Sequence, residues 1–231
     1  MERRFDRQRV EYLVKREAGL VSRSISSMLK NIHWLGHAGF MITGRRVIHV
    51  DPYQLRFPEV GDIILITHDH SDHCSPDDVK WLRKGATVIV APEACAAKFK
   101  GDVRMVKPGD TLTIKGITIE VVPAYNLDKQ FHPKKAGGVG YIITTVEGTR
   151  IYHAGDTDLI PEMDQVKADV ALLPVGGTYT MDAVEAAQAA NKIKPKVAIP
   201  MHWGNIVGSR QDAEKFRDLC EVEVKILKPE G

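Results

Sequence analysis

A chain of 231 residues with 43% hydrophobic content is long enough to bury one substantial core, so a single domain is expected. Lysine and arginine total 32 against 30 acids, and a net charge of +2 offers no global field for nucleic acid or an anionic membrane. Cys74, Cys95 and Cys220 lack the number and density of a disulfide framework, which points to a reducing cytoplasm, and no run of about 18 apolar residues supplies a spanning helix.

Residues 1–30 stand apart. They lack proline and place Val10, Leu13, Val14, Val21, Ile25, Met28 and Leu29 near a helical period, an amphipathic helical extension weakened at Gly19. It lacks the continuous apolar centre of a signal peptide. The expected use is packing on the domain or on a second copy in a homo-oligomer. The basic residues Arg3, Arg4, Arg7, Arg9, Lys15, Arg16 and Arg23 leave a peripheral membrane anchor as the alternative.

From residue 31 to the end, short strands alternate with glycine and proline turns. Ile32 to Trp34, Phe40 to Thr43 and Arg46 to Val50 read as strands, the third ending in Asp51-Pro52. The turn Gly36-His37-Ala38-Gly39 leaves His37 without bulky neighbours, placed to face substrate or to support a ligand, with a purely structural histidine as the alternative. His33 and His49 lie inside strands and read as core histidines.

The apolar run Ile63 to Ile66 then opens onto Thr67-His68-Asp69-His70-Ser71-Asp72-His73. Imidazole nitrogen and carboxylate oxygen are the ligands that zinc, manganese and iron accept. After a strand, His68 and His70 converge on one ion while Asp72 and His73 address a second. Cys74 reads as a small buried thiol. Ser75-Pro76-Asp77-Asp78 is a helix start, with Val79 to Lys84 as the helix. A strand at Thr87 to Val90 and a helix over Pro92 to Lys98 follow. Val103 to Val106, Thr111 to Ile114 and Ile117 to Val122 read as antiparallel strands joined by Pro108-Gly109-Asp110 and Lys115-Gly116.

The second half repeats this logic. Val139 to Thr145 and Arg150 to Tyr152 form a hairpin running into His153-Ala154-Gly155-Asp156. Val170 to Leu173 is an apolar strand. Thr180 is expected to cap a helix from Met181 to Ile193, whose alanines form a thin stripe for packing on a sheet. Val197 to Pro200 ends at Met201-His202, Gln211 to Cys220 is a helix, and Val222 to Ile226 is a final edge strand. Four strand ends thus carry candidate ligands: the His68 loop, Asn126 or His132, Asp156 and His202. The whole reads as a mixed α/β protein, a four-layer αββα sandwich with metals at one edge.

Trp34-Leu35-Gly36-His37-Ala38, Asp51-Pro52, the His68 to His73 loop, His153 to Thr157 and Met201-His202 together resemble the metallo-β-lactamase fold hydrolases. The group most similar holds ascorbate 6-phosphate lactonase and N-acylphosphatidylethanolamine phospholipase D. The resemblance implies that His68 and His70 ligate a first ion, that Asp72, His73 and His202 ligate a second, and that Asp156 bridges both. It departs at Val122-Pro123-Ala124-Tyr125, where the family's third histidine is replaced by Asn126. His132, six residues on, could fold back instead, and the stretch from Asn126 to Gly140 is long enough to be a functional loop. Asp51 is a candidate acceptor for a ligand histidine, and His153 is expected to support the site rather than bind metal.

The expected activity is metal-dependent hydrolysis of a small ester, lactone or phosphoester. Two divalent ions, zinc foremost with manganese or iron as alternatives, would supply a bound hydroxide, with Asp72 orienting it and His37 assisting. A nuclease of the same fold or a non-catalytic metal-binding scaffold are the alternatives. Neither the length nor the charge provides the RNA-clamping arm a nuclease would need.

Overall fold

The computed structural model describes residues 25–56 and 59–230. Of the expected extension over residues 1–30, only 25–30 lie among them. Residues 25–29 are helical, and Ile25 is buried in the main core with Met28 and Leu29 packed against it.

The first sheet has strands β1 (Ile32–Gly36), β2 (Gly39–Ile42), β3 (Ile48–Val50), β4 (Ile63–Leu65), β5 (Val88–Pro92) and β6 (Asp102–Val106), paired in that order. Helices α1 (Pro76–Leu82) and α2 (Glu93–Ala96) fall between its later strands. The second sheet begins at the edge with β7 (Thr111–Ile114) and continues inward through β8 (Ile117–Pro123), β9 (Val139–Thr144) and β10 (Arg150–His153). It ends with β11 (Val170–Pro174), β12 (Val197–Met201) and β13 (Glu223–Val224), with α3 (Ala183–Ile193) and α4 (Arg210–Leu219) in the crossovers.

Side-chain alternation builds the layers. In β4, Ile63 and Leu65 join the core shared with the second sheet, whereas Ile64 and the following Ile66 join a separate core with Val79 and Leu82 of α1 and Cys95 of α2. Strand β5 repeats the division, Val88 and Val90 facing one way and Ile89 and Ala91 the other. A strand covered on both faces must be apolar throughout, which is why these two read as continuous hydrophobic runs. The αββα sandwich is therefore as expected.

Three local expectations need correction. The strand at Val103 to Val106 does not form a hairpin with Thr111 to Ile114. It pairs in parallel with β5, and the turn at Pro108-Gly109 carries the chain from the edge of one sheet to the edge of the other. The same turn chemistry serves a hairpin and a change of sheet, so it does not specify the partner. Helix α3 is capped by Asp182, not Thr180. The Asp182 carboxylate accepts from the backbone N–H groups of Val184 and Glu185, each at 2.8 Å, and the Glu185 carboxylate accepts from the N–H of Asp182 at 3.0 Å. Thr180 is buried, and its hydroxyl donates to the carbonyl of Met181. The second helix is shorter than expected at both ends, since Pro92 still belongs to β5 and the helix stops at Ala96 with Ala97 as its cap.

Strands β3 to β6 are mutually parallel, and so are β10 to β13. Their C-terminal ends gather at one edge of the sandwich, where open parallel sheets bind ligands.

Candidate metal centre

The loop after β4 turns tightly, the N–H groups of His73 and Cys74 both donating to the carbonyl of His70. That turn aims His68 and His70 one way and Asp72 and His73 another. Three overlapping groups of ligand atoms result, each within 4.8 Å: His68, His70 and His132; His68, His73 and Asp156; and His37, Asp72, His73 and His202. All six residues expected to bind metal are thus brought together from both sheets, and His132 and His37 join them.

Orientation comes from partners behind the rings. His73 Nδ1 donates to Asp51 Oδ2 at 2.8 Å, which directs Nε2 into the cluster. The same carboxylate accepts from the Thr67 N–H at 2.8 Å and from the Thr67 hydroxyl at 2.6 Å. With its proton committed to Asp51, Thr67 Oγ1 accepts from His68 Nδ1 at 3.0 Å, so His68 too presents Nε2. Asp51 therefore supports two imidazoles, one directly and one through Thr67. Asp51 stands where it is expected, whereas the part played by Thr67 is marked in the sequence only by its position immediately before His68.

His132 folds back as the sequence alternative allowed. Its Nε2 lies 2.9 Å from His70 Nδ1 and 3.5 Å from Asp156 Oδ2. Asn126 stands behind the ring, with Nδ2 3.3 Å from His132 Nδ1. That amide nitrogen donates to the carbonyls of Phe131 at 2.9 Å and Tyr179 at 2.7 Å, leaving it no third proton. His132 Nδ1 must then donate to the Tyr179 carbonyl, at 3.2 Å, and Nε2 keeps its lone pair for the cluster. Asn126 Oδ1 is buried without a hydrogen-bond partner.

His153 is spent on the backbone. Its Nε2 donates to the carbonyl of Ala38 at 2.9 Å and its Nδ1 accepts from the N–H of Gly155 at 3.2 Å, fixing the turn that delivers Asp156. Gly155 adopts φ +66°, and a Cβ there would come within 2.7 Å of the Val139 carbonyl. His37 Nε2 donates to Asp72 Oδ2 at 2.9 Å, while its carbonyl accepts from the N–H of His202 at 2.9 Å and from Trp34 Nε1 at 2.9 Å. His37 is thus buried and supports Asp72. Cys74 faces the core beneath α1 and α2 beside Cys95.

Strain is concentrated here. Of seven described non-glycine residues with positive φ, four belong to the cluster or its supports: His37, Asp51, His132 and His202, at +49°, +45°, +58° and +60°.

The donor set fits a metal. His68 Nε2, His73 Nε2, His202 Nε2 and Asp156 Oδ1 are all buried with no hydrogen-bond partner. His202 Nε2 lies 3.1 Å and His73 Nε2 3.4 Å from Asp156, but off the hydrogen-bonding axis, so proximity does not satisfy them. Converging buried polar atoms without hydrogen-bond partners are costly unless a cation shares them. The electrostatics favour a positive charge at this point: burial works against charging both His73 and Asp156, yet Asp156 and Asp51 hold His73 well above the usual imidazole range, and His202 and His73 hold Asp156 well below the carboxylate range. Without a metal the proton on His73 Nε2 supplies that charge, and a metal ion would displace it. Burial and the charge of His73 push His68 well below its usual range, which keeps it a neutral donor.

Known proteins share this chain's architecture and sequence. The beta-lactamase superfamily domain matches residues 31–202. A UPF0173 metal-dependent hydrolase from Methanopyrus kandleri is 38% identical over 224 residues, covering 86% of this chain and 96% of the relative. A crystal structure of a protein assigned as a metal-dependent hydrolase, from Parabacteroides distasonis, superposes with a TM-score of 0.76 at 38% identity, covering 84% of this chain and 91% of that one. A metallo hydrolase from Ignicoccus hospitalis, at 24% identity and TM-score 0.71, covers 86% of this chain and 94% of its own and shares the fold. The strand-end histidines, the αββα layers and these relatives place the chain in the metallo-β-lactamase superfamily, as a metal-dependent hydrolase.

Proposed function

We propose that this hydrolase cleaves a small ester, lactone or phosphoester with two divalent ions, zinc foremost and manganese or iron as alternatives. His68, His70 and His132 would hold one ion, Asp72, His73 and His202 the other, and Asp156 both. The observation that carries this reading is the convergence of three buried imidazole Nε2 atoms and Asp156 Oδ1 with no hydrogen-bond partners.

When bound, such ions make water acidic enough to attack near neutral pH and polarise the scissile carbonyl or phosphoryl oxygen. The chain's own groups do the rest. Burial alone would raise the Asp72 pKa, but the His37 hydrogen bond and His73 bring it down to about 2, so Asp72 stays an acceptor that can orient water. His37, kept neutral chiefly by burial, holds that carboxylate through Nε2–H.

A small molecule rather than nucleic acid is the proposed substrate, supported by a cavity of about 320 Å³ over the cluster. A reducing cytoplasm is the proposed location, supported by three free cysteines. No helix among the described residues is long and apolar enough to cross a membrane. Association through residues 1–30 stays a proposal that rests mostly outside the described residues.

Chelation should abolish turnover across ester, lactone and phosphodiester panels, and returning zinc, manganese or iron should restore it, with two ions per chain by elemental analysis. Turnover that persists in metal-stripped protein would overturn the reading.

A further inference from the structure

We infer that the part of the substrate next to the scissile bond is an uncharged, apolar ring, seated by Phe131 with Tyr53, Tyr179 and Ile206. This rests on the metal centre proposed above and adds what lies beside it.

Beyond the candidate ligands, the 320 Å³ cavity is walled by those four side chains and Ser71. Its volume is at the small end for ligand pockets, suited to a single ring and the reacting group. The charged side chains on its lining, histidines aside, are Asp72 and Asp156, both turned to the cluster. Among the described residues no lysine or arginine lines it. Two lysines of the neighbouring loop are engaged elsewhere, Lys129 with Asp158 and Lys134 with Glu162 at 2.9 Å, and the third, Lys135, is exposed and does not line the cavity. Arg56 lines a separate cleft beyond Tyr53. Ions at the centre can hold one anionic group at the reacting bond. A second, remote phosphate or carboxylate would find no guanidinium or ammonium among the described lining residues, and would meet aromatic and aliphatic side chains instead.

The wall is also set before substrate arrives. Phe131 meets Tyr179 edge to face, with centroids 5.2 Å apart and planes at 88°, and its carbonyl is held by Asn126. Phe131 is 43% and Ile206 46% exposed, so large apolar surface is left uncovered at the mouth. Covering it with a flat ring removes apolar area from water at little ordering cost.

Hydroxamates separate the two layers of this reading, since the hydroxamate group chelates metal and the remainder reports the wall. The metal-loaded full chain is titrated calorimetrically with acetohydroxamate, benzohydroxamate and 4-phosphonobenzohydroxamate. Benzohydroxamate is expected to bind about tenfold more tightly than acetohydroxamate, and the phosphono compound about tenfold more weakly than benzohydroxamate. Phe131→Ala should remove most of the aromatic gain, and Phe131→Arg should reverse the order in favour of the phosphono compound. Acetohydroxamate binding with no gain from the ring, or tightest binding of the phosphono compound to the unsubstituted chain, overturns this inference alone. Failure of every hydroxamate to bind overturns the metal centre and the inference with it.

Discussion

His132 Nε2 lies 2.9 Å from His70 Nδ1, although 62 positions separate the two residues in the chain. The contact is made by a loop whose backbone is pinned at both ends of the turn, the Asn126 N–H donating to the carbonyl of His132 at 2.7 Å and the Asn126 amide to that of Phe131. The asparagine that stands where the family resemblance expects a histidine thus holds the histidine proposed to take its place. His132→Ala is expected to lower bound metal from two ions per chain to one after dialysis. Asn126→Ala, which keeps all the imidazoles, should weaken binding while leaving two ions at saturating metal. Elemental analysis of both variants checks this, and the opposite ranking would make Asn126 the ligand.

Asp51 offers a sharper test, because it touches no candidate ion site directly. Both of its oxygens accept, from the Thr67 N–H, the Thr67 hydroxyl and His73 Nδ1–H. In Asp51→Asn an NH₂ at the Oδ1 position would face the Thr67 N–H, and at the Oδ2 position it would face both the Thr67 hydroxyl and His73 Nδ1–H. In the second orientation His73 would have to move its proton to Nε2, where it cannot ligate. Metal affinity should fall about 10- to 100-fold, measured by competition with a chelating dye, with the fold retained by circular dichroism. Undiminished affinity would mean that the buried carboxylate serves packing alone.

Much of this site was legible because its chemistry is compressed into one short run. His68, His70, Asp72 and His73 follow a strand without interruption, and Asp156 and His202 each end a strand that is apolar enough to recognise. What was hidden depends on contacts distant in sequence. Nothing local to Phe131-His132-Pro133 says that the loop returns to His70, and nothing local to Thr67 says that its hydroxyl relays between Asp51 and His68. The misread pairing of β6 has the same origin: a proline-glycine turn states that the chain reverses, and only the partner sheets decide which edge it joins. The cap of α3 is different, since Asp182 and Glu185 carry the capping-box spacing in plain view and the competing hydroxyl at Thr180 drew the boundary too early.

A pH test away from the metal is offered by His49 in β3. It is 1% exposed and its Nε2–H donates to the carbonyl of Glu59 at 2.8 Å. Burial lowers its pKa from 6.5 to about 4, the bond to Glu59 opposing only in part. The unfolded chain therefore binds a proton that the folded chain refuses between these values, so stability falls as pH drops from about 6.5 to 4 and is unaffected above. The full difference is about 3 kcal/mol. His49→Asn should flatten that part of the curve relative to the unsubstituted protein in urea unfolding at pH 7.5 and 4.5. Parallel curves for the two proteins would show that His49 is charged in the fold.

The two sheets are also tied together just ahead of the histidine loop, at Tyr141 of β9. Its hydroxyl donates to the carbonyl of Ile66 at 2.6 Å, and two residues earlier the Val139 N–H donates to the carbonyl of Thr67 at 2.9 Å. Tyr141 is fully buried, and burial holds the phenol well above its usual pKa, so it remains a donor at any working pH. Tyr141→Phe leaves the ring in place and strips the Ile66 carbonyl of this partner where water cannot replace it. The expected cost is about 1–3 kcal/mol, read as a lower melting temperature in the metal-free and metal-loaded protein alike. Equal losses in both states place the bond in the scaffold, whereas a loss confined to the metal-loaded state would mean that the tether acts by holding His68 against its ion.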